Sequence, residues 1–252
     1  MYREGSAAET GGAKDKIQVW KYILKKEIAV ASFRRLHVLN AMYDTGVVPL
    51  FYNSDVSKSK EVIKACYAGG AKVIEFYNRG DRAWSVFTSL LSFVEQEMPG
   101  VILGIGSVID ASMAMMYISS GANFVVSPVL VPEIARVCNR HKVAYLPGCG
   151  TVSEIFQAEE LGCEIVKVFP ANCLGGADFI KAIKGPMPWT SIMPTGGVRA
   201  TRESVTEWVK AGAACLGMGG DLIRQDLVTA GDYKTIRKNV ENVLAWFQEA
   251  SG

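Results

Sequence analysis

From about residue 47 onward, short apolar runs alternate with longer amphipathic segments, and the alternation repeats eight times. The runs are Val47 to Tyr52, Lys72 to Tyr77, Val101 to Val108, Asn123 to Val129, Ala144 to Pro147, Glu164 to Phe169, Ser191 to Thr195 and Ala214 to Met218. Each is short, rich in β-branched residues and bounded by glycine or polar turns, as strands covered on both faces are. The segments between them carry apolar residues at helical spacing. Ser59 to Ala68 places Val62, Ile63 and Cys66 on one face, and Arg82 to Met98 places Trp84, Phe87, Leu90, Leu91 and Val94 on another. Later helices are expected over Ala111 to Ser119, Pro132 to Arg140, Val152 to Leu161, Ala177 to Lys184, Arg202 to Ala211 and Tyr233 to Ala250. Eight strand-helix units predict an α/β fold, the closed TIM (β/α)8 barrel. A weak repeat agrees: Gly70-Ala71, Gly121-Ala122, Gly162-Cys163 and Gly212-Ala213 each close a helix before the next strand, where a left-handed cap favours glycine.

The chain has 252 residues, a length that one barrel of this type can use up. Residues 1–15, rich in Gly, Ala, Ser and charge, read as a disordered leader or tag. Residues 16–44 read as an N-terminal helical extension, with Val19, Ile23, Ile28, Val30 and Phe33 among many cations, able to cover the bottom of the barrel. Residues 45–252 form the barrel domain.

A net charge of +2, from 27 basic and 25 acidic residues, leaves no broad footprint for nucleic acid or an anionic membrane. No stretch approaches the roughly 20 apolar residues of a membrane-spanning helix. The six cysteines lack a C-x-x-C pair, which suits reduced thiols in a cytoplasmic protein. With only two histidines, a zinc site built on His ligands is hard to assemble, and no metal is expected. A small-molecule partner fits best.

Lys167 stands inside the apolar run Ile165-Val166-Lys167-Val168-Phe169-Pro170. Burial drives an ammonium toward its neutral, nucleophilic form. The alternative is a strand-end lysine that reaches water or pairs with a buried carboxylate. Alternation turns Val166 and Val168 toward the helices and Lys167 inward. The same pattern in the second run turns Val73, Glu75 and Tyr77 inward. Those strands are four apart in a ring of eight, so Glu75 and Lys167 face each other across one enclosed space. They form either a structural ion pair or a nucleophile with its acid/base partner.

Active sites of such barrels form at the C-terminal strand ends. Arg79 and Ser107 lie just past the second and third strands, and a guanidinium with a hydroxyl suits a substrate carboxylate. Pro194-Thr195-Gly196-Gly197 and Gly217-Met218-Gly219-Gly220 follow strands seven and eight, where backbone N–H groups often hold a phosphate.

In sequence order, Val73-Ile74-Glu75 with Arg79, Gly104-Ile105-Gly106-Ser107-Val108, Ser127-Pro128, Leu146-Pro147-Gly148, Lys167-Val168-Phe169-Pro170-Ala171 and Pro194-Thr195-Gly196-Gly197 resemble the class I aldolases that cleave 2-keto-3-deoxy-6-phosphogluconate and 4-hydroxy-2-oxoglutarate. The resemblance implies a lyase that releases pyruvate from a 4-hydroxy-2-keto acid. Lys167 would form the Schiff base and Glu75 would be the general acid/base. Arg79 and Ser107 would hold the pyruvyl carboxylate, Pro128 would shape the pocket wall, and Thr195, Gly196, Gly197, Gly219 and Gly220 would bind the rest of the substrate. It further implies a homotrimer and no cofactor beyond the covalent imine on Lys167.

Two positions depart from the family. Relatives often carry an arginine near the end of strand one, where this chain has Tyr52, and a serine after strand eight, where it has Gly220 followed by Asp221. One cation and one hydroxyl are replaced, which predicts a reduced preference for phosphorylated substrates. Two other functions compete: a catalytically weak barrel serving as an oligomeric scaffold or binding protein, and a phosphosugar isomerase or epimerase.

Overall fold

The computed structural model describes residues 31–252. The leader expected over 1–15 and the part of the helical extension before residue 31 lie outside the described residues. The extension is represented by α1 (Arg35–Thr45), which leads directly into β1 (Val47–Phe51). The chain then runs through α2 (Val56–Ala68), β2 (Val73–Tyr77), α3 (Ala83–Glu97), β3 (Ile102–Gly106), α4 (Ala111–Ser119), β4 (Phe124–Val126), α5 (Pro132–His141) and β5 (Ala144–Leu146). It continues with β6 (Gly148–Cys149), α6 (Val152–Glu160), β7 (Val166–Val168), a 3-10 turn over Ala171–Leu174, α7 (Ala177–Lys184), β8 (Ile192–Pro194), α8 (Arg202–Lys210), β9 (Leu216–Met218), α9 (Gln225–Ala230) and α10 (Tyr233–Ser251).

The strands pair in parallel as a six-stranded sheet, β5-β4-β3-β2-β1-β9, and a three-stranded sheet, β6-β7-β8. The fifth expected strand, Ala144 to Pro147, thus ends at Leu146 and is followed by a further short strand, β6, that the sequence reading did not include. Pro147 separates them, and having no N–H it cannot continue a ladder. Leu146, before it, pairs with Val126 of β4, and Gly148, after it, pairs with Lys167 of β7. A single bridge between Thr195 and Gly217 links the far ends of the two sheets.

Side-chain alternation sorts the apolar residues into two layers. Ile74, Phe76, Val166, Val168, Ile192 and Leu216 belong to the cluster packed against the helices. Their neighbours Val73, Ile165, Met193 and Cys215 belong to a second cluster on the opposite face, together with Val38, Leu39 and Met42 of α1. The inward set read from the sequence is the one observed. Using α1 as the floor of the inner layer buries apolar surface on a helix too weakly patterned to form a stable stripe alone.

Caps fix where the helices begin. The side chains of Asp55, Asp110, Thr151, Thr201 and Asp232 each accept from a first-turn N–H. Each such cap stabilises by about 1 kcal/mol. The expected glycine turns hold as well, since Gly70, Gly121, Gly162 and Gly212 all take left-handed φ, while Lys142 at φ 57 fills that place after α5.

Candidate active site

Glu75 occupies the middle of β2, in register with Leu50 on β1 and Gly104 on β3. It is fully buried at 0% exposure, and neither carboxylate oxygen has a hydrogen-bond partner among the described residues. Its carboxylate lies over Gly106, two positions along β3, where an added Cβ would overlap it. Only glycine leaves that space.

Lys167 occupies the middle of β7, between Gly148 on β6 and Met193 on β8. It is 5% exposed, with Nζ 5.0 Å from the centroid of the Phe169 ring. Gly148 beside it again admits a close approach, because a Cβ there would strike the Pro128 carbonyl. The turn carrying Pro128 is held by Ser127, whose hydroxyl donates to the Val129 carbonyl at 2.7 Å and bonds the Tyr145 hydroxyl. Tyr145 also accepts from the Val131 N–H at 3.2 Å. The Pro128 carbonyl therefore lies beside Gly148, the residue paired with Lys167 across the β6–β7 ladder.

The electrostatics follow from this burial. Desolvation pushes the Glu75 carboxyl above its usual range, and the positive charges of Lys167 and Arg79 oppose that only in part. Desolvation likewise lowers Lys167, against the pull of Glu75 and with help from Arg79. Both groups are driven toward their neutral forms. A structural ion pair would require both to be charged and bonded to each other, and the unbonded Glu75 oxygens do not meet that requirement. An amine and a carboxyl both pushed toward their neutral forms, each feeling the other's charge, suit a nucleophile with its acid/base partner.

The remaining residues gather at the C-terminal strand ends. Arg79 is exposed and lies over the Tyr77 ring at 4.4 Å. Ser107 sits at φ 61, and among the described residues only Lys142 shares a positive φ without being glycine. Its neighbours are pinned, with the Asn78 N–H bonded to the Gly106 carbonyl at 2.8 Å and the Val108 N–H to the Val126 carbonyl at 3.2 Å. The backbone of Ser107 is thus held in a sparsely populated conformation from both sides, and such strain is found preferentially at functional sites.

Thr195, one residue past β8, is 4% exposed, and its hydroxyl oxygen is buried without a partner in the space that Gly217 leaves open. Of four such orphan oxygens among the described residues, three belong to Glu75 and Thr195 on this inner face, and the fourth is Thr190 Oγ1. Buried polar groups without partners are rare in folded proteins and concentrate where function needs them. Beyond Thr195, Gly196 and Gly197 take φ of 92 and 79 against the side chain of Asn172. The N–H groups of Gly196, Gly197, Gly219 and Gly220 donate to no backbone carbonyl among the described residues.

Two placements do not follow from the sequence. Tyr52 does not face this space: its ring lies 5.5 Å from Phe76, a helix-layer residue, and its hydroxyl points at Gly80. Leu50, two residues on from the inward Val48, packs against Gly217 and Gly219. The stacking of Arg79 on Tyr77 is the second. Alternation marks Tyr77 as inward, but no spacing rule says what an inward tyrosine touches. Among the described residues, no group of three or more His, Cys, Asp or Glu side chains is placed to hold a metal ion.

Known proteins share this sequence and shape. A family model described as KDPG and KHG aldolase matches residues 38–239. A 2-dehydro-3-deoxy-phosphogluconate aldolase of Pseudoalteromonas atlantica is 32% identical over 200 residues, 79% of this chain and 90% of that protein. A KHG/KDPG aldolase of Escherichia coli K12 is 30% identical over 192 residues, 76% and 87% of the two chains. The 2-keto-3-deoxy-6-phosphogluconate aldolase of Zymomonas mobilis ZM4, solved with 3-phosphoglycerate, superposes with a TM-score of 0.72 at 26% identity, covering 83% of this chain and 95% of that one. In fold alone, the KDPG aldolase of Legionella pneumophila gives a TM-score of 0.74 at 23% identity, covering 82% and 97%. Matched by the family model over most of its length and 32% identical to one of the family's members, this chain belongs to the KDPG and KHG aldolase family.

Proposed function

We propose that the protein is a Schiff-base aldolase that splits a 4-hydroxy-2-keto acid into pyruvate and an aldehyde. The observation that carries this reading is the pairing of a buried Lys167 with a buried, unbonded Glu75 carboxylate on one inner face, each driven toward neutrality by desolvation. Membership of the family and the names of the relatives at 30% identity and above support it.

In this reading the neutral Lys167 amine attacks C2 of the keto acid. Loss of water, with a proton supplied by Glu75, gives the protonated imine. Glu75, now a carboxylate, takes the proton of the C4 hydroxyl as the C3–C4 bond breaks, and the bonding pair moves into the imine to form an enamine. The aldehyde leaves. Glu75 returns its proton to C3, and water hydrolyses the imine to free pyruvate and Lys167. Arg79 and the Ser107 hydroxyl take the pyruvyl carboxylate. Thr195 and the free N–H groups of Gly196, Gly197, Gly219 and Gly220 face the rest of the substrate.

The two sheets serve as one eight-stranded barrel spanning residues 45–252, supported by the continuity of β5 and β6 through Pro147 and by the Thr195–Gly217 bridge. A homotrimer in the cytoplasm is the setting the same reading implies. Between the two family substrates it favours 4-hydroxy-2-oxoglutarate, since Tyr52 turns away from the chamber and Asp221 follows Gly220.

Sodium borohydride reduction in the presence of pyruvate tests the reaction directly. The expected result is a reduced pyruvyl adduct on the peptide holding Lys167. Active protein that shows no adduct would overturn the Schiff-base mechanism, and folded protein with neither adduct nor pyruvate release would leave a scaffold as the better reading, although a scaffold gives no account of the unbonded Glu75 carboxylate.

A further inference from the structure

We propose that Tyr77 is a positioning residue for Arg79, ordering the guanidinium over the chamber while leaving its donors free for the substrate carboxylate. The proposal rests on the aldolase reading above and adds to it a residue that contacts no reacting atom.

The local backbone explains why Tyr77 can do this. Alternation along β2 turns Tyr77 to the same face as Glu75, in register with Gly106 of β3. The next residue, Asn78, is pinned the other way, its side-chain oxygen accepting from the Tyr117 hydroxyl at 2.7 Å and its amide nitrogen 2.8 Å from the Met113 sulfur, both on α4. The Arg79 N–H then folds back onto the Tyr77 carbonyl at 3.0 Å. With Asn78 anchored in the helix layer and this tight reversal following it, Arg79 is directed back across the Tyr77 ring, where its guanidinium carbon lies 4.4 Å from the centroid.

The partner chosen matters. An exposed arginine loses considerable side-chain freedom when it clamps a ligand, and prior ordering removes part of that loss. A carboxylate partner would order Arg79 equally well but would occupy the fork that the substrate needs. A ring face orders the guanidinium through its flat side and leaves the in-plane N–H groups unused. Among the described residues the Arg79 side chain forms no ion pair within 4.0 Å, and the Tyr77 ring is the partner it does have. The phenol oxygen continues toward Gly219, just past β9, lying 3.4 Å from where a Cβ on that glycine would stand.

Steady-state kinetics with 4-hydroxy-2-oxoglutarate on Tyr77→Phe, Tyr77→Leu, Arg79→Ala and Tyr77→Leu/Arg79→Ala would test this. Tyr77→Leu should raise KM about fivefold with kcat nearly unchanged, and Tyr77→Phe, which keeps the ring, should stay within about twofold of the parent. In the double variant the leucine should add nothing to the effect of Arg79→Ala. Equal losses in the phenylalanine and leucine variants would overturn the proposal, and so would effects that multiply in the double variant. Borohydride trapping of pyruvate by the parent protein separates the two levels. An adduct on Lys167 together with a multiplicative double variant sinks the role of Tyr77 alone, whereas a parent without adduct removes the aldolase reading and the proposal with it.

Discussion

Two levels of the same inner face, one pleat apart, behave as different materials. The lower level is apolar and closed, with Val48, Val73, Ile102, Ile165, Met193 and Cys215 packed on Val38, Leu39 and Met42 of α1. The upper level holds Glu75, Lys167 and Thr195, nearly as inaccessible to water yet including three oxygens without partners. Equal burial therefore does not mean equal purpose. Below, burial stabilises; above, it pushes two groups toward their neutral forms and leaves the Glu75 and Thr195 oxygens unbonded, at an expense in stability that the lower level offsets.

Substitutions at the two levels should fail in opposite ways. The largest effect belongs to Lys167→Met, expected to lower kcat at least about a thousandfold by removing the nucleophile, measured as pyruvate release. The same variant should alter stability against pH. The folded-state pKa of Lys167 lies below its ordinary 10.5, so within that window the unfolded chain binds more protons and the parent gains stability as pH rises. Lys167→Met should therefore be most stable relative to the parent below the window, with the advantage shrinking toward pH 10.5 in thermal melts.

Glu75→Leu comes next, with a loss in kcat of about 10²- to 10⁴-fold. By removing an unbonded buried carboxylate it should also raise stability by about 1–2 kcal/mol in urea titrations. A variant both inactive and less stable would contradict the division into levels. Gly106→Ala, which forces the Glu75 carboxylate aside, should lower kcat by about a hundredfold with the fold retained by circular dichroism. Ile165→Ala, in the lower level, should reverse the pattern, with about 2–5 kcal/mol of stability lost and kcat preserved below the shifted melting temperature.

Much of this architecture is legible in the amino-acid sequence. Helix periodicity locates α2 to α8 and α10 to within a few residues because each presents one apolar stripe to the sheet, and period-two alternation correctly turns Glu75 and Lys167 inward. The illegible part depends on contacts between distant residues. Ala144 to Pro147 reads as one strand, and only its neighbours show that Leu146 answers to β4 and Gly148 to β7. The short α9 and the 3-10 turn after Pro170 carry too few residues for a periodic signal. Gly104, Gly106 and Gly148 look like ordinary turn or strand glycines until the Glu75 carboxylate and the Pro128 carbonyl are seen against the latter two. Tyr52 would face inward by extrapolating β1, yet it lies just past the strand end, where alternation no longer binds the backbone.

The seating of α1 beneath the strands has a consequence for traffic. Val38 and Met42, both at 0% exposure, stop the lower end of the inner space, so molecules enter and leave past the C-terminal strand ends. In the proposed reaction the pyruvyl half stays bonded to Lys167 when the C3–C4 bond breaks, while the aldehyde half is held by no covalent bond. The last fragment to be bonded in the reverse direction is thus the first out in the forward one. Departure is ordered by the covalent tie to Lys167, with no moving part required.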